Sequence, residues 1–154
     1  MEPDAQDWDA IREMKNNRQD LGRWGERTAS EYLMEQGYQI IERNARTQYG
    51  EIDIVAVQRT ENPMNFNQSG GKDISIVVFV EVKTRTTDLF GPPEVSINTR
   101  KREHIISSSQ AYLQSHPELD GDWRVDVIAI QCKAENSPFE ITHFENAFSG
   151  FDPE

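Results

Sequence analysis

Apolar residues occupy both parities of Val77-Val78-Phe79-Val80-Glu81-Val82-Lys83. A strand built this way is covered on both faces, so the run predicts a central strand over about 74–83. Glu81 and Lys83 then stand side by side near its end. The patterns elsewhere predict a helix from Asp20, as N-cap, to about Gln36, with Gly37 as its stop. Leu21, Trp24, Thr28 and Tyr32, flanked by Gly22, Gly25, Ala29 and Leu33, make its broad buried face. Each glycine inside a helix costs about 1 kcal/mol relative to alanine, so the two predict close approach of helix to sheet. Glu26 falls at the margin of that face.

Strands follow over 38–43 and 51–57, with 44–50 as a turn. The second strand puts Glu51 and Asp53 on one face and Ile52 and Ile54 on the other. Residues 58–74, rich in Asn, Gly and Ser, read as a long connection into the central strand, and 84–97 as a loop. Asn98 or Thr99 caps a second helix that ends near His116-Pro117, with Ile105, Ser109, Tyr112 and Leu113 on its buried side. A strand over 123–130 and a short one over 139–144 complete the order α-β-β-β-α-β-β. A hairpin-linked trio followed by a helical crossover predicts an α/β fold, a mixed central sheet flanked by helices. The domain spans 20–148, between an appendage over 1–19, with a short helix near Trp8 to Met14, and a tail over 149–154.

The 154 residues fit one domain, and no apolar run approaches a membrane span. An acidic amino terminus unlike a signal peptide, together with a single cysteine, Cys132, leads to the expectation of a cytoplasmic protein with neither internal disulfide nor thiolate metal cage. The net charge of −11 argues against nucleic acid in sum but less so in distribution. Acids outnumber bases in the first 20 residues and after residue 106, while the span between is close to balanced.

Chemistry concentrates in that balanced span. If the second and third strands pair as a hairpin, Asp53 and Glu81 lie close together, a setting for one hard divalent cation held by carboxylates, backbone carbonyl and water. Lys83 would orient an attacking water or stabilise charge on a phosphate, and Glu26 could complete the shell. On the residues alone, a salt-bridged strand end explains Glu81 and Lys83 equally well. Arg100-Lys101-Arg102 places three cations in a first helical turn, against the dipole. That start suits an anion such as phosphate, or is a solvated basic turn. Arg85, Arg43 and Arg46 would extend the patch along a backbone. Arg124 and Asp126 share a face and read as a structural pair. His104, His116 and His143 lack ligand spacing, and Ser107-Ser108-Ser109 lacks a nucleophile turn.

The run Gly22-x-x-Gly25-Glu26-x-x-Ala29-x-x-Tyr32-Leu33, then Gly37-Tyr38, Arg43-Asn44, Gly50-Glu51-Ile52-Asp53-Ile54-Val55-Ala56 and Val78-Phe79-Val80-Glu81-Val82-Lys83-Thr84-Arg85 resembles the YraN family of bacterial proteins. The resemblance covers about residues 20–148, including Arg124 to Ile130 and Asn146-Ala147-Phe148. That family is similar to the archaeal Holliday junction resolvases of the PD-(D/E)xK nuclease superfamily, which implies a restriction-endonuclease-like fold. It further implies Asp53, Glu81 and the Val82 carbonyl as ligands of Mg²⁺ or Mn²⁺, Lys83 as catalytic lysine and Glu26 as helix carboxylate. The implied activity is a Mg²⁺-dependent endonuclease acting on DNA, with branched or recombination intermediates as substrates. The alternative is a non-catalytic module of the same fold that binds nucleic acid or protein in repair, recombination or uptake. The resemblance also allows a homodimer. The superfamily's proline before the aspartate is replaced by Ile52, and the acidic total and the 58–74 connection depart from its pattern.

Overall fold

The computed structural model describes residues 18–60, 74–85, 98–132 and 139–148. The short helix near Trp8 to Met14, most of the 58–74 connection, nearly all of the 84–97 loop and the terminal tail lie outside the described residues. The elements are α1 (Arg18–Glu35), β1 (Gln39–Thr47), β2 (Gly50–Thr60), β3 (Ile74–Arg85), α2 (Thr99–Ser115), β4 (Trp123–Gln131) and β5 (Glu140–Phe148). They occur in the expected order. Among the described residues, no helix is long and apolar enough to cross a membrane.

The strands form one sheet in the order β1-β2-β3-β4-β5. Only β3 and β4 run parallel, because α2 carries the chain back between them, and the other neighbours are antiparallel. β3 is central, as its two-sided apolar pattern requires. One face packs Val55, Val57, Val77, Phe79, Val125 and Val127 against Ile105 and Tyr112 of α2. The other packs Ile54, Ala56, Val78, Val80, Ile128 and Ile130 against Ala29 and Leu33 of α1. Phe79 is fully buried and meets Tyr112 and Trp123 edge-on, each at 5.9 Å. Truncating such a core phenylalanine costs roughly 3–5 kcal/mol.

α1 starts two residues before Asp20, so Asp20 is not its cap; it sits in the first turn, where a negative charge complements the helix dipole. The helix stops as expected. Gly37 has φ +92°, its N–H donates to the Met34 carbonyl at 3.1 Å, and the Tyr38 N–H donates to that of Leu33 at 2.9 Å. This pair of bonds satisfies the last-turn carbonyls through a left-handed residue that glycine adopts freely. The glycine reading splits. A Cβ on Gly25 would collide with the Thr84 side chain at the end of β3, so this glycine does bring helix and sheet together. Gly22 meets no described atom within 4 Å and serves no such approach.

The strands differ from the sequence expectation in their ends and in one facing. β1 does not yield to a turn at residue 44 but runs to Thr47, passing through Asn44 at φ +53°. Asparagine tolerates this left-handed geometry better than other non-glycine residues. Opposite it, Ile52 joins the α2-side core and Ile54 the α1-side core, so they do not share a face and the pleat is interrupted at Asp53. β5 does not end at residue 144 but extends to Phe148, through a bulge with Asn146 at φ +49°.

That bulge wraps a buried polar network. Asp126 is fully buried and accepts from Arg124 Nε at 3.0 Å and from the Asn146 N–H at 2.9 Å, and its Oδ2 lies 2.7 Å from His143 Nε2. Arg124 also donates to Gln58 Oε1 and to the Tyr38 hydroxyl, both at 2.8 Å. The structural pairing expected for Arg124 and Asp126 is present, and it ties Tyr38, just before β1, to β2, β4 and β5.

Candidate metal centre

The site lies where β2 and β3 part. Their regular pairing runs from Thr60↔Ile74 to Ile54↔Val80 and goes no further toward the β1–β2 turn. Beyond it the Val82 N–H donates not to a carbonyl but to Asp53 Oδ2, at 2.9 Å. The interrupted pleat at Asp53 thus turns a side chain into the place of a ladder acceptor. The N–H and C=O of one strand residue project to the same edge, so the Val82 carbonyl faces the same opening.

Glu81 is buried at 7% exposure, on the α2 face of β3 with Phe79 two residues before it. Lys83 Nζ lies 3.4 Å from Glu81 Oε1, and Lys101 Nζ from α2 lies nearer, at 2.9 Å. Asn98 Oδ1 accepts from the Lys101 N–H at 2.9 Å, capping α2 and fixing where Lys101 leaves the helix. The cap is satisfied as the sequence led one to expect.

Glu26 reaches the cluster from α1 through Asn44. With the Asn44 amide nitrogen facing the acids, it donates to Glu26 Oε2 at 3.0 Å and to Glu51 Oε1 at 2.9 Å. This amide, on a left-handed residue within β1, thus stands between two carboxylates. Burial raises the Glu26 pKa most, opposed by the Asn44 bond and reinforced by Glu51.

The electrostatics favour a cation. Asp53 is only half-buried by exposure, yet burial is the largest cause that pushes its carboxyl up to about 8. The neighbouring Glu81 charge adds to this, the Val82 N–H opposes it and Glu26 contributes further. Without a counter-charge Asp53 therefore keeps its proton near neutrality. Lys83 is lowered chiefly by burial and by Lys101. Lys101 is raised: burial works against its charge, but Lys83, Glu81 and Asp53 outweigh it.

These donors are oxygens, which suits Mg²⁺ or Mn²⁺. Among the described residues, no three Asp, Glu, His or Cys side chains gather closely enough to hold an ion on their own. The set that fits is two carboxylates, Asp53 and Glu81, with the Val82 carbonyl and water, as Mg²⁺ commonly takes. Glu26 stands behind Asn44, placed to act through water.

A cavity of about 450 Å³ opens over the pair, lined by Tyr49, Glu51, Asp53, Glu81, Arg100 and Lys101 among others. The remaining cations divide. Arg100 and Lys101 face this cavity, whereas Arg102 turns away and lies 5.5 Å over the Phe148 ring. Arg43 is close enough to Glu26 to lower its pKa. Arg46 lines a separate cavity with Glu42, Tyr112 and His116, and is not brought to the carboxylates. Arg85 ends β3, where its carbonyl accepts from the Cys132 N–H at 2.8 Å.

Sequence reasoning missed Asn44 as the bridge, Tyr49 at the rim, His104 in the cavity wall and Lys101 as the nearer partner of Glu81. His104 carried a usable signal, lying three residues after Lys101 and hence on the same helix face.

The sequence model of an uncharacterised protein family, UPF0102, matches residues 25–130. A UPF0102 protein of Thermodesulfovibrio yellowstonii is 39% identical over 129 residues, 84% of this chain and 96% of its own length. One of Syntrophomonas wolfei is 37% identical over 129 residues, 84% of this chain and 97% of its own. One of Alkaliphilus oremlandii is 36% identical over 128 residues, 83% and 97% respectively. The matched stretch contains Glu26, Asp53, Glu81, Lys83 and Lys101.

Proposed function

The chain belongs to the uncharacterised family UPF0102, the YraN family, and on that premise we propose that it is a Mg²⁺- or Mn²⁺-dependent endonuclease that hydrolyses phosphodiester bonds of DNA, with branched or recombination intermediates as the substrate class. One observation carries this reading: Asp53 and Glu81 line a cavity together with Arg100 and Lys101 from the cationic first turn of α2, and Lys83 Nζ lies 3.4 Å from Glu81 Oε1. Asp53, Glu81 and the Val82 carbonyl would hold the ion. When bound, it supplies a water of lowered pKa and neutralises charge on the phosphate.

The chain's own groups supply the rest. Asp53 is pre-positioned by the Val82 N–H, so ionising it does not require rebuilding the strand. Lys83 Nζ lies 3.4 Å from Glu81 Oε1 and, with its pKa lowered, exchanges a proton with water more readily than a solvated lysine. Arg100, and Arg43 and Arg85 on the strands, are the cations that would hold the backbone on either side. Glu26, through Asn44, keeps a second carboxylate behind the site.

The test is cleavage of branched, flapped and single-stranded DNA, and of RNA, with Mg²⁺ or Mn²⁺ present or chelated. Cation-dependent cutting that disappears in Asp53→Ala and Lys83→Ala supports the reading; cutting unchanged in both sinks it. The net charge of −11 favours a second reading, a non-catalytic module that engages nucleic acid or a protein partner. Cation binding lost in Asp53→Ala, without cutting of any substrate, would select that module.

A further inference from the structure

Glu81 Oε1 has two ammonium neighbours, and the nearer is not the one on its own strand. Lys101 Nζ stands 2.9 Å away and Lys83 Nζ 3.4 Å. The Lys101 contact is the closer charge-assisted hydrogen bond, and it takes up a lone pair of an oxygen that a divalent cation would need. Magnesium sits about 2.0–2.1 Å from its oxygens, so an ammonium and an ion on the same carboxylate oxygen would crowd and repel each other. Both cannot keep that position.

We propose that Lys101 is the resident counter-cation of Glu81, displaced when a divalent cation loads, so that this lysine sets the affinity of the centre. The inference rests on the metal-site reading above. Lys101, not Lys83, is the one placed to move. Its side chain is 42% exposed against 22% for Lys83, and it borders the open cavity beside Arg100. A four-carbon stem on a helix start can swing into that space while Asn98 keeps the helix in place. Without metal, Lys101 neutralises a carboxylate that is otherwise buried beside Asp53. With metal, its charge is released over the cavity, where a phosphate would lie.

Calorimetric titration of Mn²⁺ into the full chain tests this, comparing the natural protein with Lys101→Gln and Lys101→Arg. Removing one like charge a few ångströms away should tighten Mn²⁺ binding roughly tenfold or more in Lys101→Gln, and not in Lys101→Arg, which keeps the charge. Thermal melts supply a second readout. Lys101→Gln should melt below the natural protein in chelator, and the gap should close at saturating Mn²⁺. Binding in Lys101→Gln that is equal to or weaker than the natural protein's overturns the inference. If the natural protein binds Mn²⁺ through Asp53 and only the tightening fails, the metal site stands and this inference falls. If no variant binds Mn²⁺, both fall.

Discussion

Asp53 Oδ2 accepts the Val82 N–H at 2.9 Å, so a carboxylate takes the place of a ladder carbonyl where β2 leaves β3. The bond does two things together: it satisfies a backbone donor at the end of the pairing, and it holds an acid against Glu81. Strand separation and site assembly are therefore one feature of the backbone. On the neighbouring strand the left-handed Asn44 lies opposite the interrupted pleat.

Asn44 separates the backbone requirement from the side-chain one. Asn44→Ala loses the amide and keeps a Cβ at φ +53° without the polar side chain that makes asparagine tolerant there, leaving a left-handed geometry that costs about 1–2 kcal/mol for an ordinary L residue. Asn44→Gly keeps the geometry and loses only the bridge between Glu26 and Glu51. Urea denaturation should rank the alanine variant below the glycine variant. Equal stabilities would mean that the backbone at 44 carries no strain.

Gly25 is held to glycine by contact, and Gly22 is not. Gly25→Ala drives a methyl into Thr84, a forced overpacking worth about 1–3 kcal/mol, and Thr84→Ala should recover part of the loss. Gly22→Ala should raise stability by up to about 1 kcal/mol through helix propensity. Thermal melts of the three single variants and the Gly25→Ala/Thr84→Ala double variant provide the comparison. A Gly25→Ala protein as stable as Gly22→Ala would contradict the packing of α1 on the end of β3.

Asp126 governs the acid limb. Burial alone would raise its pKa, but the bonds from His143, Arg124 and the Asn146 N–H outweigh burial and hold it below the usual carboxylate range. A carboxyl depressed in the folded state contributes stability above its unfolded value of about 3.9, and this is lost as pH falls through the folded value. Unfolding free energy measured from pH 6 downward should therefore begin to lose the Asp126 contribution near pH 4. Asp126→Asn, which removes the charged partner of the half-buried Arg124, should cost roughly 1.5–3 kcal/mol at pH 6 and flatten that decline. An unchanged acid profile in the variant would remove Asp126 as its source.

Element order and the positions of Asp53, Glu81 and Lys83 were legible because they depend on local periodicity: a two-sided apolar run, alternating strands and a helix with a glycine stop. What periodicity could not show were the places where the pleat breaks. Asn44 read as the start of a turn and Asn146 lay beyond the expected end of the last strand, yet each here lies within a continuing strand. The same break put Ile52 and Ile54 on opposite faces. Lys101 was read as part of a phosphate-holding turn because its approach to Glu81 spans twenty residues and depends on how α2 crosses the sheet. Arg102 was grouped with it by adjacency, although consecutive helical residues point about 100° apart and Arg102 comes to rest on Phe148.

The most direct measurement is anomalous diffraction from crystals of the full chain soaked in Mn²⁺. The account predicts one strong peak about 2.1 Å from carboxylate oxygens of both Asp53 and Glu81, near the Val82 carbonyl, with Lys101 Nζ withdrawn from Glu81. A peak confined to other acids, or no peak while Lys101 remains on Glu81, would contradict it.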